Sequence, residues 1–500
     1  MGGLYPSALW SCLGTLLVLS LRPGFRDVEY CPVIPDIISK ENDMTHHVNG
    51  KFWLAGFKVK AAYMIFLMGL AGVLSSGGAV AAENTVSAKE IDRKFFGMHI
   101  HHLDVPYPKG QRSGWPFIPF GSWRLWWTYT NWYELEPVKG EWDFSRLDRY
   151  VELAEKNDVD VMLTLGRTPQ WASSRPKEPC GQGLGCAAEP SDLKDWADYV
   201  RTVASRYKGR ISAYEIWNEP AFSEVEATSR DGRATQSYSG SAAKMVELAK
   251  VAYTTLKEVD PAITVVSPSV TIEGNGLKRL EAFLKLGGGR WADVIGFHFY
   301  VAPPEVIADV AARLRTLLNA YDLPNKPIWN TEMGYQFARA DLGVQPQTPK
   351  GRWQDILDHW QGAGYVARAL ILSAGSGIQR VYWFNWDGEP PHPTMGLAGS
   401  AGHSPTTMSI AYNKVFHWLV GSRLMGCTRS SAEVWSCDIE RGSRRGVLVW
   451  SEKAAGEWDP SPFRAVAFEQ IGRADATIDP GQKIPIGPVP ILVKADPAAW

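Results

Sequence analysis

Residues 193–220 read LKDWADYVRTVASRYKGRISAYEIWNEP and contain one complete helix–strand unit. Apolar side chains recur at helical spacing over 193–207, and a short polar connection leads into an apolar strand over 211–217. The strand ends on Asn218, Glu219 and Pro220. Because proline disfavours helical backbone in the residue before it, Glu219 is expected to stay extended at the strand end rather than enter the next helix.

The same alternation of strands and helices extends in both directions from this unit. Further strands are predicted over 95–101, 123–127, 159–165, 263–267, 294–300, 328–332 and 380–386, with further helices over 145–157, 242–259, 277–286, 304–318, 353–374 and 409–420. Such alternation predicts a parallel sheet, and eight units of this length fit a (β/α)8 barrel. No G-x-G-x-x-G follows the first strand, which weakens the alternative of an open, doubly wound sheet.

The lengths of the connections support the barrel independently. Long connections follow strands, at 102–120, 166–191, 221–240, 333–351 and 387–407, whereas helix-to-strand connections such as 208–210 are short. A barrel builds its working face from the loops at the carboxyl ends of its strands. We therefore expect the functional residues at those ends.

The pattern of predicted elements changes after about residue 421, from alternating strands and helices to short strands alone. Short strands are predicted over 432–439, 446–450, 464–469 and 490–494, separated by Gly, Pro and Asp. This pattern predicts a small β-sandwich-like domain. The predicted organisation is a leader over 1–83, a barrel domain over 84–421 and a C-terminal β-domain over 422–500.

The first 83 residues have the features of a targeting segment. Residues 61–82 carry no charge, follow Lys51, Lys58 and Lys60, and end in an Ala-Val-Ala run at 79–81. Such a segment predicts a secretory signal. It is also long enough to be an uncleaved anchor, so a membrane tether through 61–82 is the alternative. We expect an exported protein, periplasmic or secreted, whose translation starts at Met44 or whose residues 1–43 form a second leader.

Composition excludes several classes of function. Lys and Arg number 52 against 53 Asp and Glu, so the formal net charge of −1 offers no electrostatic footprint for nucleic acid. The 22 Trp exceed the needs of a single core, and flat aromatic faces suit sugar rings.

Outside the leader, four cysteines lie in two close pairs. In an exported protein these predict the disulfides Cys180–Cys186 and Cys427–Cys437.

Two strand ends carry the residues of greatest chemical interest. Glu219 ends the fourth strand, and Glu332 ends the seventh within Trp329-Asn330-Thr331-Glu332. In a barrel both would rim one cavity. Two facing carboxyl groups suit glycoside cleavage, one as the acid and the other as nucleophile or base, and a retaining site needs them about 5–5.5 Å apart. Repulsion by the second carboxylate is expected to raise the pKa of Glu219.

The nucleophile needs cationic or hydroxyl neighbours to stay ionised. Arg124 on the second strand and His298 and Tyr300 on the sixth are the candidates, and strand alternation puts His298 and Tyr300 on one face. The alternative for Arg124 is a structural ion pair. Asn218 and Glu219 are adjacent in sequence, so both reach the cavity only if the strand bulges there.

Trp-Asn-Glu-Pro at the end of strand four together with Thr-Glu at the end of strand seven resembles the large clan of retaining (β/α)8 glycosidases. The details are most similar to glycoside hydrolase family 39, which includes β-xylosidases, α-iduronidases and bacterial exopolysaccharide hydrolases. The resemblance covers roughly 95–420. It implies Glu219 as acid/base, Glu332 as nucleophile and Asn218 as donor to the substrate 2-hydroxyl. It further implies Trp386 as an aromatic floor and a polysaccharide or oligosaccharide substrate without a cofactor.

Other residues have weaker claims to a role. Trp171 is expected to stack on a sugar ring. His101 or His102 is expected to contact a sugar hydroxyl, with a purely structural role in the core as the alternative. Asp387 and Glu389 are expected either to bind substrate or to be solvated in their loop. Glu215 is a rival acid, more consistent with a buried structural partner. His99 and His101 form an H-x-H pair typical of metal-dependent barrel hydrolases, although no further histidine lies on the fifth strand. A glycan-binding barrel without catalysis is the remaining alternative.

Overall fold

A computed structural model describes residues 89–103, 112–181, 183–226, 237–388, 392–399, 402–453, 455–496 and 500. The predicted signal or anchor at 61–82 and the loop residue Glu389 lie outside the described residues. No helix within the described ranges combines the length and apolar character needed to cross a bilayer.

Eight parallel strands form the centre of the molecule. They are β1 Phe96–Met98, β2 Ser122–Leu125, β3 Asp160–Leu165, β4 Ala213–Ile216, β5 Thr264–Val266, β6 Ile295–His298, β7 Ile328–Met333 and β8 Arg380–Trp383. They pair in the order β5-β4-β3-β2-β1-β8-β7-β6. Val266 bridges Val294 in parallel, and the Ser267 amide donates to the Val294 carbonyl at 2.9 Å. These contacts join β5 to β6 and close the ring, so the predicted (β/α)8 barrel is confirmed.

Each strand from β2 to β8 is followed by a helix. These are α1 Ser145–Lys156, α2 Leu193–Arg206, α3 Ala242–Val259, α4 Gly276–Lys285, α5 Val306–Ala320, α6 His359–Gly375 and α7 Thr407–Leu419. Each helix turns an apolar face to the barrel; in α2 that face holds Trp196, Tyr199, Val200 and Val203.

Short elements lie in the connections. The helical turns are Arg93–Phe95, Trp132–Leu135, Ser223–Glu226, Gly288–Trp291, Ala340–Leu342 and Ser461–Phe463, and the short strands are Pro179–Cys180, Gly183–Leu184, Val270–Thr271, Gln336–Phe337 and Ile356–Leu357. Val270–Thr271 extends the central sheet beside β6.

Side chains rather than solvent fill the lower barrel. A layer contributed by β3 to β8 contains Met162, Ala213, Val266, Val294, Trp329 and Tyr382. On β1 the corresponding space requires glycine, because a Cβ on Gly97 would lie 2.6 Å from the Tyr382 ring. The lower barrel is therefore a packed core, and chemistry is confined to the carboxyl ends of the strands.

The C-terminal residues form antiparallel sheets. The strands are β9 Arg423–Arg429, β10 Val434–Arg441, β11 Arg444–Ser451, β12 Gly456–Trp458, β13 Ala467–Gln470, β14 Ala476–Thr477, β15 Ile484–Ile486 and β16 Ile491–Lys494. A six-stranded sheet runs β9-β10-β11-β16-β13-β14, and β12 pairs with β15 as a separate ribbon. One face of the larger sheet packs on the ribbon through Val447, Val493 and Ile484. Its opposite face shares the barrel's core through Leu448 and Leu492.

Both predicted disulfides form. Cys180–Cys186 closes the small hairpin in the connection after β3. Cys427–Cys437 links β9 to β10 at directly paired positions. Each bond therefore fixes a local β-structure rather than joining distant parts of the chain.

Candidate active site

Irregular backbone turns both glutamates into the barrel mouth. After β4, Trp217 and Glu219 have left-handed backbone, with φ values of 66° and 44°, and Asn218 between them bridges Ser269. The pairing of β7 with β6 shifts register between Asn330 and Glu332. Non-glycine residues rarely adopt such conformations except where the surrounding structure imposes them, often at functional sites. The local irregularity expected from the adjacency of Asn218 and Glu219 is therefore present. The expectation that Glu219 stays extended before Pro220 is wrong, because its φ is left-handed where its amide donates to the Ser269 carbonyl at 2.8 Å.

The two carboxyl groups meet at the mouth. One carboxylate oxygen of Glu219, one of Glu332 and a ring nitrogen of His298 all lie within 4.8 Å of one another. His298 Nδ1 lies 2.8 Å from Glu219 Oε1 and 3.9 Å from Glu332 Oε1. This spacing fits the short separation that a double displacement requires.

Glu332 is held by one donor on β2 and another just after β6. Arg124 Nη1 donates to Oε2 at 2.8 Å, and the Tyr300 hydroxyl donates to Oε1 at 2.8 Å. Burial raises the pKa of Glu332, while His298, Arg124 and the Tyr300 hydrogen bond oppose that rise. Arg124 and Tyr300 thus supply the stabilisation that a buried nucleophilic carboxylate needs in order to ionise.

Arg124 itself is anchored by Glu215. Both side chains are fully buried, and Arg124 Nε and Nη2 donate to Glu215 Oε2 at 2.8 and 2.5 Å. Thr164 Oγ1 at 2.8 Å and Ser269 Oγ at 2.5 Å also donate to Glu215. Glu215 is therefore a buried partner below the mouth, and its oxygens are already occupied by donors.

Asn218 is oriented by the same arginine. Arg124 Nη2 donates to Asn218 Oδ1 at 2.6 Å. With its carbonyl oxygen engaged, Asn218 retains its amide NH2 as the group to present to a ligand. The amide NH2 of Asn218 can therefore donate a hydrogen bond to a substrate hydroxyl.

The pKa of Glu219 differs from the sequence-based expectation. Burial raises it, but the hydrogen bond and charge of His298, together with Arg124 and Arg279, lower it below the ordinary value. The expectation of a raised pKa is therefore wrong for the unliganded site. Sequence reasoning considered only the repulsion between the two glutamates, whereas the imidazole ring contacts Glu219 directly.

Trp386 does not form the predicted aromatic floor. It is fully buried, and its Nε1 donates to the Gly114 carbonyl at 3.0 Å, so its ring packs inside the connection after β1. Phe384 instead packs with Met395 and with Tyr300, whose hydroxyl donates to Glu332. The run Trp383-Phe384-Asn385-Trp386 predicts an aromatic side chain at this strand end. The run alone does not indicate which of its aromatic residues faces the mouth.

Trp171 is also placed away from the expected role. Its Nε1 donates to the Glu136 carbonyl at 2.9 Å, Lys139 lies over its ring at 5.3 Å, and its edge meets Trp132. These contacts lie in the connections after β2 and β3 rather than at the two carboxyl groups. Its packing partners come from a neighbouring connection, which the local sequence does not reveal.

His101 lies at the mouth, against Phe384. The ring centroids are 4.9 Å apart, and burial lowers the pKa of His101 to about 4 even though Asp387 lies nearby. Its Nε2 has no hydrogen-bond partner among the described residues. A neutral imidazole with an available nitrogen suits a sugar hydroxyl.

Asp387 organises its loop. It is fully buried and accepts from the backbone amides of His101 and His102 and from Ser113 Oγ. Among the described residues, the H-x-H pair is not part of a cluster that could hold a metal ion. His99 Nε2 instead contacts the Thr331 carbonyl at 3.1 Å, and the one cluster with metal-binding geometry in the described parts of the chain is Glu219, His298 and Glu332.

Comparisons with known proteins agree with this architecture. The family model of Glycosyl hydrolase family 10 matches residues 129–285, a range that includes β3, β4, β5 and Glu219 but not Glu332. Endo-1,4-beta-xylanase C of Paenibacillus barcinonensis is 23% identical over 188 residues, 34% of this chain and 16% of that protein. Endo-1,4-beta-xylanase 2 of Claviceps purpurea is 34% identical over 85 residues, 17% of this chain and 24% of that protein. The chain thus spans less than a quarter of each of these relatives.

Solved structures show the same fold over most of the chain. A family 39 β-xylosidase from Caulobacter crescentus superposes with a TM-score of 0.53 at 14% identity, covering 82% of this chain and 98% of that one. A family 30 endoxylanase from Clostridium papyrosolvens gives a TM-score of 0.51 at 14% identity, covering 82% and 97%. The predicted resemblance to barrel glycosidases of the family 39 type is confirmed at the level of the fold.

Proposed function

We propose that this protein is a retaining glycoside hydrolase that cleaves O-glycosidic bonds of a polysaccharide or oligosaccharide by double displacement. The observation that carries the proposal is the pair of carboxyl groups, Glu219 and Glu332, whose oxygens lie within 4.8 Å at the mouth of a barrel. The matches to xylanases and the shared glycosidase fold support the same class of reaction.

The first step forms a covalent intermediate. Glu332 attacks the anomeric carbon as the glycosidic bond breaks, and Glu219, in those molecules in which it carries a proton, gives that proton to the departing oxygen. Arg124 and Tyr300 orient Glu332 and stabilise its negative charge before the attack. Asn218, fixed by Arg124, donates to the sugar 2-hydroxyl.

The second step releases the sugar. Glu219, now ionised, removes a proton from a water molecule, whose oxygen attacks the anomeric carbon and breaks the ester to Glu332. Both glutamates return to their starting protonation states. His298, 2.8 Å from Glu219, stabilises the ionised form that exists between the steps.

Mutation of each glutamate tests the proposal. Substrates are found with a panel of aryl glycosides and bacterial exopolysaccharides, beginning with β-xylosides and xylan because the relatives are named xylanases. We expect Glu332→Ala to abolish turnover. We expect Glu219→Ala to lose about 10²–10⁴-fold in rate and to recover with azide on substrates with good leaving groups.

The surface variant Glu258→Ala on α3 is the matched control and should behave as the native protein. Full activity in Glu332→Ala would reject the assignment. Glycan binding without product would favour a non-catalytic barrel. Inactivation by a chelator would favour a metal-dependent hydrolase.

We also propose that the protein acts outside the cytoplasm, in the periplasm or as a secreted protein. The uncharged segment at 61–82 and the disulfides Cys180–Cys186 and Cys427–Cys437 support this location, because disulfides persist in oxidising compartments. Fractionation of expressing cells tests it, with the membrane fraction indicating a tether through 61–82. Recovery in the cytoplasm alone would contradict export.

A further inference from the structure

The two glutamates divide the barrel mouth into two unlike halves. Glu219 follows β4 and Glu332 ends β7, so β5 and β6 lie on one side, and β8, β1, β2 and β3 lie on the other. In a retaining glycosidase the bond to be broken lies between the two carboxyl groups. The attacked sugar and its leaving group therefore occupy opposite halves.

The half formed by β8, β1 and β2 contains buried polar side chains. Phe384 and His101 are buried there, and His101 Nε2 and Asn385 Nδ2 lack hydrogen-bond partners among the residues described. Buried polar atoms are costly unless a partner satisfies them, so this half suits the hydroxyl groups of one tightly held sugar. We assign it to the attacked sugar.

A partly exposed indole, Trp353 in the connection after β7, contacts residues that follow β5 and β6 and so lies on their side of the mouth. Its ring packs against Tyr300, with the centroids 4.6 Å apart and the planes tilted by 40°. Tyr300 in turn donates to Glu332, so Trp353 lies one ring outward from the nucleophile. An aromatic face at that distance matches the second sugar rather than the one attacked.

Trp353 is held in place from two directions. Its Nε1 donates at 2.5 Å to Glu273, which belongs to the connection between β5 and α4. The turn that presents it is closed by the nearly fully buried Asp355, which accepts from the amides of Lys350 and Arg352 at 2.5 and 2.9 Å. An indole fixed before binding gives up little conformational entropy on contact with a ligand.

We propose that Trp353 is the aromatic platform of the leaving-group subsite, where it stacks on the apolar face of the sugar that departs. This inference rests on the proposed glycosidase function and extends it. It also implies that the natural substrate places a sugar ring, rather than a small group, on that side of the bond.

The test compares two substrates of the native protein that share the attacked sugar. One is the oligosaccharide identified in the panel, and the other is the corresponding glycosyl fluoride, whose leaving group has no ring. We expect Trp353→Ala to lower the ratio of kcat/KM for the oligosaccharide to kcat/KM for the fluoride by about tenfold, the effect of losing one aromatic contact. Trp353→Leu, which keeps apolar packing on Tyr300, should show the same fall even if the alanine variant folds poorly.

The matched control is Trp360→Ala, since Trp360 is 44% exposed and lies under Arg473, whose guanidinium carbon is 5.4 Å from its ring. Its ratio should stay at the native value. An unchanged ratio in both Trp353 variants would overturn the proposal. This holds whether the activities on the oligosaccharide and the fluoride fall equally or do not fall at all. If the native protein cleaves neither substrate, the proposed glycosidase function is rejected. An unchanged ratio in an active protein rejects only the subsite, so the two failures can be told apart.

Discussion

Arg124 links the chemistry at the mouth to the interior of the barrel. It donates to Glu332 above and to Glu215 below, and all three side chains are at least nine-tenths buried. A buried cation needs opposite charge, and Glu215 provides it without competing for the substrate. One arginine therefore positions the nucleophile and stabilises its ionised form.

Removal of Arg124 should change the pH dependence of activity. Arg124 lowers the pKa of Glu332, so Arg124→Gln raises that pKa. Glu332 must be ionised to attack, and activity is lost as pH falls through its pKa. We expect the acidic limb of the kcat/KM profile to move to higher pH by about 1–3 pH units.

A double variant separates this effect from unfolding. Arg124→Gln alone leaves Glu215 buried without its partner, at a cost of about 3–5 kcal/mol in unfolding free energy. Arg124→Gln combined with Glu215→Gln removes both charges and should recover much of that loss in urea denaturation. The acidic limb should remain displaced; a native acidic limb in the double variant would contradict the role of Arg124.

Sequence patterns identified the site residues whose position follows from strand ends. Glu219, Glu332, Arg124, His298 and Tyr300 converge because each lies on a barrel strand or within about three residues of its carboxyl end, at the same mouth. Aromatic orientation was harder to predict. Whether Phe384 or Trp386 faces the mouth depends on packing against other connections, and composition does not contain that information.

At the scale of elements, the barrel strands were predicted within a few residues because apolar runs bounded by polar turns are local signals. Helix α6 was predicted from 353, but it begins at His359. Asp358 caps it by accepting from the amides of Trp360 and Gln361, and Asp355 holds the preceding residues in a turn. Because Asp355 and Asp358 end the helix at His359, Trp353 lies in a loop rather than in α6.

Strand β9 lies outside the strands that the sequence predicts. It runs from Arg423 to Arg429 with mostly exposed side chains, so its burial pattern gives little alternation to detect. Its pairing with β10 and the Cys427–Cys437 bond define it instead. β9 and β10 are neighbours in the chain, so the signal lacking here is an apolar alternation within β9 itself.

At the scale of the whole molecule, a buried charge cluster joins the barrel to the C-terminal sheet. Glu469 on β13 accepts from Trp418 Nε1 on α7 at 2.9 Å and from Lys494 Nζ on β16 at 2.9 Å, and Lys414 Nζ on α7 lies 2.9 Å from it. Burial alone would raise the pKa of Glu469, but these donors lower it to about 2. The junction therefore depends on an ionised carboxylate.

Glu469 should make stability depend on pH. Its pKa is lower in the folded protein than its ordinary value of 4.5, so its contribution is present above that pH and is lost as pH falls toward 2. We expect Glu469→Gln to cost about 3 kcal/mol in unfolding free energy at pH 7 and to flatten the decline of stability in acid. Urea denaturation from pH 7 to pH 3 checks this, with the exposed Glu457→Gln on β12 as control. A native pH dependence in Glu469→Gln would contradict the account.

The central claim concerns the stereochemistry that the spacing of Glu219 and Glu332 imposes. Proton NMR can follow the anomeric signal of the first product formed from the best substrate of the panel, before mutarotation equilibrates it. Double displacement predicts that the first product has the anomeric configuration of the substrate. An initial product of inverted configuration would contradict attack by Glu332 and the double displacement built on it.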